Sequence, residues 1–454
     1  MPGSIELRKM RVLAVGLART GVATALFCAK HNAIVTATDV RPESELGDAP
    51  AKLRDAGVTL ELGGHQEKTY LAQDLIIPSP GVPADDPLLV KARSKGITIW
   101  SEIELAYRFL EGELIGITGS NGKTTTTTLV HHILKEAGTH ALLAGNVGTP
   151  LISCVEEMKA DTVSVVELSS FQLELIDKFR PDIGVFLNLT PDHLDRHKTM
   201  EAYAAAKARI FEKQTEMDAA VLNADDAPTV ALAPKRAQVF WFSRKKGVSQ
   251  GAYLRGDDIV IAHHGKEEFV MKRDEIPLPG AHNVENVLAA VMAARLAEVD
   301  TAAIAKAVRS FQGVEHRLEF VAEIGGVRYY NDSKATNVDA TLKALDAFPG
   351  RILVILGGKD KGSDYTVLRE PLREKGILAL LIGAAADKID SQISGSVAIE
   401  RAGRMERAVE IAAQAAQAGD IVLLAPACAS FDQFENYEHR GRVFKKLVRG
   451  LEKK

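Results

Sequence analysis

The chain has 454 residues, of which 46% are hydrophobic and 26% are charged, values close to those of an average globular protein. The formal net charge is −4, which argues against a large basic surface for nucleic acid or anionic lipid. Three scattered cysteines, Cys28, Cys154 and Cys428, exclude a disulfide framework and a zinc cluster. At roughly 100–200 residues per domain, the length predicts about two to four domains.

The first residues of the chain favour a cytoplasmic protein. Residues 1–10 hold several charges and lead directly into a short apolar strand, so we expect no signal peptide. Uncharged stretches such as 376–386 are too short to cross a bilayer. We therefore expect a cytoplasmic monomer that binds small molecules, with no membrane insertion and no nucleic-acid partner.

Short β-branched runs alternate with helical stretches, which favours parallel sheets joined by crossover helices. The predicted elements, in chain order, are strand 11–15, helix 20–31, strand 34–39, strand 114–118, helix 123–137, and strands 163–167, 183–188 and 219–223. Three short turn-separated runs then predict a small antiparallel excursion at 253–255, 259–262 and 268–271. Helix 284–297 follows, and the final third has a new sheet starting at Glu319 and strands 351–356, 378–382, 397–401 and 421–425.

Domain boundaries are predicted near residues 101–104 and 312–313. The three predicted domains are an N-terminal Rossmann-like domain of residues 1–102, a central ATP-binding domain of the P-loop type over 103–312, and a Rossmann-like C-terminal domain over 313–454. The fold class is α/β, with the antiparallel excursion inside the central domain.

A glycine-rich loop between a predicted strand and helix carries the strongest local signal. Backbone N–H groups of Gly119, Ser120, Asn121 and Gly122 could cradle phosphates at the helix N-terminus. The following segment, 123–125, holds a lysine that can reach the outer phosphates and a threonine hydroxyl that can bind Mg²⁺. Only the second half of the usual P-loop pattern is present, because position 117 is isoleucine. A purely structural turn is the alternative.

Two further polar groups follow strands that should end at the same sheet edge, where doubly wound folds bind ligands. Glu167 ends an apolar run and would suit Mg²⁺, although a helix cap is equally compatible with the pattern. Asp192 and His193 follow strand 183–188, which we expect to neighbour the strand of Glu167. A loop histidine is otherwise an ordinary surface residue.

The N-terminal segment Gly16–Gly21 resembles a dinucleotide fingerprint with Asp39 at the end of the next strand. Ala18 replaces the glycine that lets a pyrophosphate approach the backbone, which argues against a nicotinamide cofactor. Holding a nucleotide diphosphate or a uridine group against this loop is the better interpretation, and a structural turn remains the alternative.

Other candidates are weak when taken alone. Lys207 lies in an alanine-rich helix, a pattern that predicts a solvated lysine. Asn283 and Asn286 lie one turn apart at a helix start, where capping would explain Asn283. Arg317 lies just after the second predicted domain boundary, a position from which an arginine could reach across a cleft between domains. The loops 357–363 and 427–433 could bind anions or simply join strand to helix.

Nine segments together resemble the ATP-dependent Mur ligases of bacterial cell-wall synthesis. They occur in order along essentially the whole chain: GSNGKTT at 119–125, GNVG at 145–148, ELSSFQLE at 167–174, TPDHLDRH at 190–197, GAHNVEN at 280–286, HRLE at 316–319, NDSKATN at 331–337, GGKDKGSDY at 357–365 and APACASFDQF at 425–434. The DNPR segment of the ligases that add diaminopimelate or lysine is absent. The resemblance implies ATP-dependent addition of D-glutamate to UDP-N-acetylmuramoyl-L-alanine through an acyl phosphate, in peptidoglycan precursor synthesis.

The resemblance also implies residue roles. ATP would be bound by Gly119, Ser120, Asn121, Gly122, Lys123, Thr124, Thr125, Asn283, Asn286, Arg317 and Asp332. Two Mg²⁺ sites would use Thr124, Glu167, His193 and Lys207, the last as a carbamate derived from CO₂. The catalytic set would be Lys123, Glu167, His193, Lys207 and Arg317.

For the other two substrates the same resemblance implies two further groups. The UDP-linked substrate would contact Arg19, Thr20, Asp39, Arg41, Ser79 and Asn146. D-Glutamate would be held by Thr336, Lys361, Ser430, Phe431 and Tyr437, with Lys334 near the reacting groups.

Three alternatives stay open at this point. Another amide ligase of the superfamily, such as a folylpolyglutamate synthase, would share the lysine loop but should lack ELSSFQLE and a UDP-binding first domain. A dehydrogenase is disfavoured by Ala18 and by the second phosphate loop. A non-catalytic nucleotide-binding scaffold is disfavoured because every matched ligand position holds a functional residue type.

Overall fold

The computed structural model describes residues 5–263, 265–360 and 362–451. The described residues divide into two compact units, one within Met1–Glu275 and Glu285–Arg309 and the other within Ile276–Val284 and Ser310–Lys454. The first unit contains two sheets and the second contains one. The α/β architecture and the three sheets agree with the predicted fold class, while the limits of the three domains stay a prediction.

The first sheet is parallel, with strand order β3-β2-β1-β4-β5. Its strands are β1 (Arg11–Val15), β2 (Ile34–Asp39), β3 (Thr59–Leu62), β4 (Leu75–Pro78) and β5 (Thr98–Ile99), and the helices of this region are α1 (Arg19–Lys30), α2 (Ala49–Asp55), α3 (Glu67–Leu71), α4 (Pro87–Ser94) and α5 (Glu102–Tyr107). The direction in which successive strands are added to the sheet reverses between β1 and β4. A crevice at the carboxyl ends of these two strands is therefore the expected ligand site.

The second sheet has nine strands in the order β14-β13-β12-β11-β10-β9-β6-β8-β7. They are β6 (Glu113–Thr118), β7 (Ala141–Gly145), β8 (Val163–Glu167), β9 (Ile183–Phe186), β10 (Ala219–Asn223), β11 (Gln238–Ser243), β12 (Gly251–Arg255), β13 (Asp258–His263) and β14 (Lys266–Lys272). The associated helices are α6 (Lys123–Glu136), α7 (Ser170–Leu173), α8 (Leu194–His197), α9 (Met200–Ala208), α10 (Ala227–Val230), α11 (Ala281–Leu296) and α12 (Thr301–Ser310). The antiparallel pairing of β12, β13 and β14 confirms the predicted excursion.

The third sheet has the order β15-β16-β20-β17-β18-β19, with only β15 antiparallel to its neighbour. Its strands are β15 (Glu319–Ile324), β16 (Val327–Asn331), β17 (Ile352–Gly357), β18 (Gly376–Ile382), β19 (Ala398–Gly403) and β20 (Ile421–Leu424), and its helices are α13 (Val338–Asp346), α14 (Arg369–Lys375), α15 (Ala386–Ile393), α16 (Met405–Ala415) and α17 (Tyr437–Leu451). Because β16, β20 and β17 are parallel neighbours, the three loops that follow them share one edge.

Burial explains why the central strands were visible in the sequence. Every residue of β8, β9, β10 and β17 is buried, and such strands appear as continuous apolar runs. The partly exposed strands β7 and β11 lack that signal and were not predicted. Among the described residues, no helix is both long and apolar enough to cross a membrane.

Candidate active site

The loop between β6 and α6 has the backbone shape of a phosphate site. Gly119 and Gly122 have φ angles of +145° and +85°, which residues with a side chain rarely adopt. The Lys123 side chain turns back over the loop, and its Nζ donates to the carbonyls of Gly119 and Ser120 at 2.9 and 2.8 Å. The loop thus places a cation at the N-terminus of a 14-residue helix, as anion binding requires.

Neighbouring side chains fix this loop. The N–H of Asn121 donates to Oδ1 of Asn188 at 2.9 Å, and Ser120 Oγ donates to the Thr190 carbonyl at 2.9 Å. Asn188 follows β9 and was not singled out in the sequence, where nothing distinguishes its amide from that of any loop residue. The hydroxyl-bearing residues Thr124 and Thr125 are buried in the first turn of α6.

Asn286 of α11 lies directly against the same loop. A Cβ on Gly122 would stand only 2.2 Å from Asn286 Oδ1, so the close approach requires glycine at that position. The hydroxyl of Thr126 donates to the same oxygen at 3.4 Å. Asn283 has a local role, since its Nδ2 donates to the Pro279 carbonyl at 2.7 Å and holds the turn before the helix.

Glu167 ends β8 as predicted, and it has the properties of a metal ligand. The carboxylate is 2% exposed, and Asn146 Nδ2 donates to its Oε1 at 2.7 Å. Its Oε2 is buried and accepts no hydrogen bond from the described residues. An unpaired buried carboxylate oxygen is costly, and a divalent cation would satisfy it.

His193 lies after β9 in a left-handed conformation, with φ +53°. The prediction that its strand neighbours the strand of Glu167 was wrong, because β6 lies between β8 and β9. Both strands flank the phosphate-loop strand instead. The exposed His193 ring packs edge-on against Phe171 at 5.0 Å between ring centres.

Lys207 contradicts the solvated lysine that its alanine-rich surroundings predicted. Its side chain is 1% exposed, and Nζ donates to the Gly119 carbonyl at 2.8 Å. Burial, together with the positive charge of Lys123, lowers the pKa of the Lys207 amine from 10.5 to about 6. Tyr203, Ala206 and Lys207 form the buried side of α9, which the composition of the helix does not reveal.

The first glycine loop has a carboxylate at its base. Asp39 is 3% exposed and accepts from the Leu17 N–H at 2.7 Å and from the Arg41 guanidinium at 2.8 and 3.0 Å. The hydrogen bonds from Arg41 are the main cause of a pKa lowered to about 2 for Asp39. Ser79, after β4, donates to the Gly16 carbonyl at 2.6 Å.

The lack of a side chain at Gly21 lets helix α1 pack against the first glycine loop. A Cβ there would stand 1.8 Å from the Gly16 carbonyl oxygen. Arg19 is exposed and Thr20 half-buried in the first turn of α1, so both border the crevice between β1 and β4. The structure therefore gathers the predicted UDP-contacting residues of the first sheet at one edge.

In the second unit, Arg317 is presented by a strained turn. His316 and Leu318 on either side have φ angles of +66° and +41°. The Leu318 N–H donates to Oδ1 of Asp332 at 3.3 Å. Burial raises the pKa of Asp332 to about 7, although the charge of Arg317 opposes the shift.

The predicted amino-acid residues follow β16 and β20 on the shared edge of the third sheet. Ser430 is 2% exposed, Phe431 is 67% exposed, and Thr336 and Tyr437 are half-buried. Lys361 lies outside the described residues.

Sequence reasoning missed Arg440, which joins these loops. It is fully buried, and its guanidinium donates to Ser333 Oγ, to the Ser333 carbonyl and to the Cys428 carbonyl at 3.0, 2.8 and 3.1 Å. Burial lowers its pKa to about 10. The surrounding helix has several basic residues, so the sequence contains no signal that separates this one from the others.

Three family models match successive parts of the chain. The Mur ligase MurD-like N-terminal domain matches residues 10–101, the Mur ligase middle domain 117–294, and the Mur ligase glutamate ligase domain 316–428. A UDP-N-acetylmuramoylalanine–D-glutamate ligase of Koribacter versatilis is 53% identical over 448 residues, covering 98% of this chain and 99% of that protein. An enzyme of the same name from Solibacter usitatus is 54% identical over 451 residues, covering 99% of this chain and 100% of that protein.

Solved structures agree in fold. MurF ligase from Thermotoga maritima in complex with ADP aligns with a TM-score of 0.60 and 17% identity, covering 98% of this chain and 100% of that one. UDP-N-acetylmuramate–alanine ligase MurC of the same organism aligns with a TM-score of 0.59 and 20% identity, covering 97% and 100%. With each of its three sheets matched by a domain model, and half its residues shared with two ligases along almost their whole length, the chain belongs to the Mur ligase family.

Proposed function

We infer that this chain is an ATP-dependent ligase that joins D-glutamate to UDP-N-acetylmuramoyl-L-alanine in peptidoglycan precursor synthesis. The observation that carries the inference is the 53–54% identity to D-glutamate ligases along nearly the full length of both chains. The phosphate loop and the unpaired carboxylate of Glu167 supply the chemistry that such a reaction needs.

The mechanism follows from the poor reactivity of a carboxylate toward an amine. The L-alanyl carboxylate attacks the γ-phosphorus of ATP, which breaks the bond to ADP and gives an acyl phosphate. The amine of D-glutamate then attacks the acyl carbon, loses a proton, and expels phosphate from a tetrahedral intermediate. The products are the amide, ADP and phosphate.

The first step brings two anions together, so positive charge must be in place. The ammonium of Lys123 and the backbone N–H groups of Gly119 and Gly122 would hold the transferred phosphoryl group, while Ser120 and Asn121, whose N–H groups donate to Asn188, would line the ATP site. Thr124 and Thr125 would contribute hydroxyls to the ATP–Mg²⁺ complex, with Asn283 and Asn286 toward the nucleoside. Arg317 and Asp332 are also proposed to contact ATP.

Glu167, His193 and Lys207 would provide a second Mg²⁺ site beside Thr124. Mg²⁺ bound there would screen the charge of the approaching carboxylate. We propose that Lys207 is a carbamate in the active enzyme. Only a neutral amine adds CO₂, releasing a proton and leaving an anion, and the lowered pKa of Lys207 supplies that neutral amine at neutral pH. A carbamate would also place negative charge where an ammonium would repel the metal.

The remaining groups would bind the other substrates. Arg19, Thr20, Asp39, Arg41, Ser79 and Asn146 are proposed for the UDP-linked substrate, and Thr336, Lys361, Ser430, Phe431 and Tyr437 for the two carboxylates of D-glutamate. Lys334 lies 5.7 Å from the Tyr437 ring and would stand near the reacting groups. Because ATP and UDP-sugars are cytoplasmic metabolites, we propose a cytoplasmic monomer that acts on small molecules.

Phosphate release tests this assignment. The protein would be assayed with ATP, Mg²⁺ and UDP-N-acetylmuramoyl-L-alanine, together with D-glutamate, L-glutamate, L-lysine or diaminopimelate. Release that requires D-glutamate is the expected result. Release with another amino acid would preserve the ligase chemistry and refute the proposed substrate, and ATP hydrolysis that no amino acid stimulates would favour a non-catalytic scaffold.

A further inference from the structure

Arg196 connects the first sheet to the loop of the candidate metal ligand His193. It lies on α8, three residues after that histidine, and its side chain is 16% exposed. Nη1 donates to the carbonyls of Pro80 and Gly81, both at 3.3 Å, and Nη2 donates to that of Val82 at 2.8 Å. These three carbonyls belong to the loop after β4. One guanidinium therefore holds three consecutive peptide groups of another sheet.

The opposite side of Arg196 contacts Phe171 and Glu174, which lie near the candidate metal ligand His193. Its guanidinium carbon lies 4.6 Å from the centre of the Phe171 ring, and Nη2 also donates to Glu174 Oε2 at 3.3 Å. Phe171 in turn stacks on His197 and meets the His193 ring edge-on. Arg196 is thus packed against the aromatic group that supports His193.

The loop that Arg196 holds is continuous with the first glycine loop. Ser79, the residue before Pro80, donates through Oγ to the Gly16 carbonyl, and its N–H donates to the Val15 carbonyl at 2.8 Å. The Val82 N–H donates to the Ser79 carbonyl at 2.9 Å. A displacement of residues 80–82 would therefore move the residues proposed to contact the uridine diphosphate.

We propose that Arg196 is a positioning residue that fixes the UDP-substrate loop to the metal-ligand loop, so that each ligand favours binding of the other. The proposal rests on the proposed function, because it assumes that Ser79 and His193 serve those two ligands. An arginine suits the role, since its planar fork spreads its donors over several nitrogens and reaches three carbonyls and Glu174 together, whereas a lysine donates from a single nitrogen. By linkage, the factor by which the UDP-substrate raises the affinity for Mg²⁺ must equal the factor by which Mg²⁺ raises the affinity for the UDP-substrate.

Arg209 provides a matched control. Its guanidinium also donates to three carbonyls, those of Leu173, Glu174 and Ile176, at 3.0, 2.5 and 2.7 Å. All three belong to the segment after β8, and Arg209 has no hydrogen bond to the first sheet among the described contacts. Removing Arg209 should lower the stability of the protein, because guanidinium–carbonyl hydrogen bonds are lost as in the Arg196 variant. It should not disconnect the UDP-substrate loop from the metal-ligand loop.

The test compares Arg196→Met, Arg196→Lys and Arg209→Met. For Arg196→Met, the KM of the UDP-substrate and the Mg²⁺ concentration for half-maximal activity should both rise roughly ten-fold, the scale of a lost charged hydrogen bond. The KM of D-glutamate should stay unchanged, and Arg196→Lys should lie between. A lower Tm with unchanged constants would overturn the proposal, as would the same increases in Arg209→Met.

Amide hydrogen exchange gives a readout that does not depend on turnover. In Arg196→Met, or in Arg196→Lys should the methionine variant not fold, exchange should accelerate at both 79–82 and 190–198. In Arg209→Met it should not accelerate at 79–82. Unchanged exchange at 79–82 in the Arg196 variants would refute the connection. A wild-type protein inactive with D-glutamate would instead refute the proposed function, which keeps the two failures distinguishable.

Discussion

The two glycine-rich loops of this chain lie at equivalent places in their sheets and differ in charge. Each joins the end of a parallel strand to a helix, and each begins with a glycine at positive φ, Gly16 at +82° and Gly119 at +145°. In the first loop, the carboxylate of Asp39 accepts from a loop N–H. In the second, Lys123 and Lys207 place two amines against the Gly119 carbonyl.

This contrast shows that glycine spacing determines only how closely a ligand can approach. We propose that the charged side chain below each loop determines which ligand that loop binds. A lysine-lined loop at a helix N-terminus suits the phosphates of ATP. In the first loop the Leu17 N–H is already paired with Asp39, so the contacts proposed for the UDP-linked substrate come mainly from flanking side chains such as those of Arg19 and Ser79. Four substitutions test the contrast.

The largest effect is expected for Lys123→Ala. Losing the loop cation proposed to touch the transferred phosphoryl group should reduce kcat by about 10²–10³-fold, the usual range for one preorganised donor. Steady-state kinetics with ATP, D-glutamate and the UDP-substrate measures it. Lys30→Ala, which removes a lysine that pairs with Glu156 at the surface, is the control and should have normal kinetics. Near-normal turnover in Lys123→Ala would contradict the proposal that the charge of Lys123 stabilises the transferred phosphoryl group.

Lys207→Met should reduce kcat by about a hundred-fold, since loss of a group that supports a metal ligand usually has this effect. Wild-type activity should fall in CO₂-free buffer and return with bicarbonate, and the variant should not respond. Activity should also fall below about pH 6, where the amine becomes protonated. Isotope-labelled CO₂ that fails to appear on Lys207 by mass spectrometry would contradict the carbamate.

Arg41→Met should raise the KM of the UDP-substrate about ten-fold and leave the KM of ATP unchanged. It also tests the stability of the first loop. The pKa of Asp39 is about 2 when folded and 3.8 ordinarily, so the folded state gains stability above pH 3.8 that is lost as pH falls toward 2. The wild-type Tm should therefore exceed the variant Tm at neutral pH, and the difference should shrink at about pH 3. A pH-independent difference would contradict this assignment.

Ala18→Gly should have the smallest effect. It restores the central glycine of the dinucleotide pattern at an exposed position, and Asp39 stays engaged by Arg41. We expect the KM of the UDP-substrate to change less than about two-fold, as for most surface substitutions. Fluorescence titration with NADH should show no binding. Tight NADH binding would mean that spacing alone determines the ligand of this loop.

The elements most accurately predicted from the sequence are those whose residues interact locally or are buried on both faces. β8 and β10 were predicted with their observed limits, because each is a continuous apolar run. Helix α6 was recognised by Gly122 before it and Gly138 after it. Helix α11 begins at Ala281, three residues before its predicted start at 284, because the break at Pro279 and Gly280 lies directly before it.

The sequence by itself determined the three α/β sheets, the phosphate loop and, through nine segments, the ligase family. Tertiary structure decided the rest. Lys207 became a buried, neutral amine only because α9 packs over the phosphate loop, and desolvation is a property of neighbours distant in sequence. The placement of β6 between β8 and β9 depends on hydrogen bonds between strands, which no local pattern specifies. Arg196 and Arg440 acquired their roles from backbone carbonyls, and every residue carries a carbonyl, so the sequence gives no sign of which ones an arginine will reach.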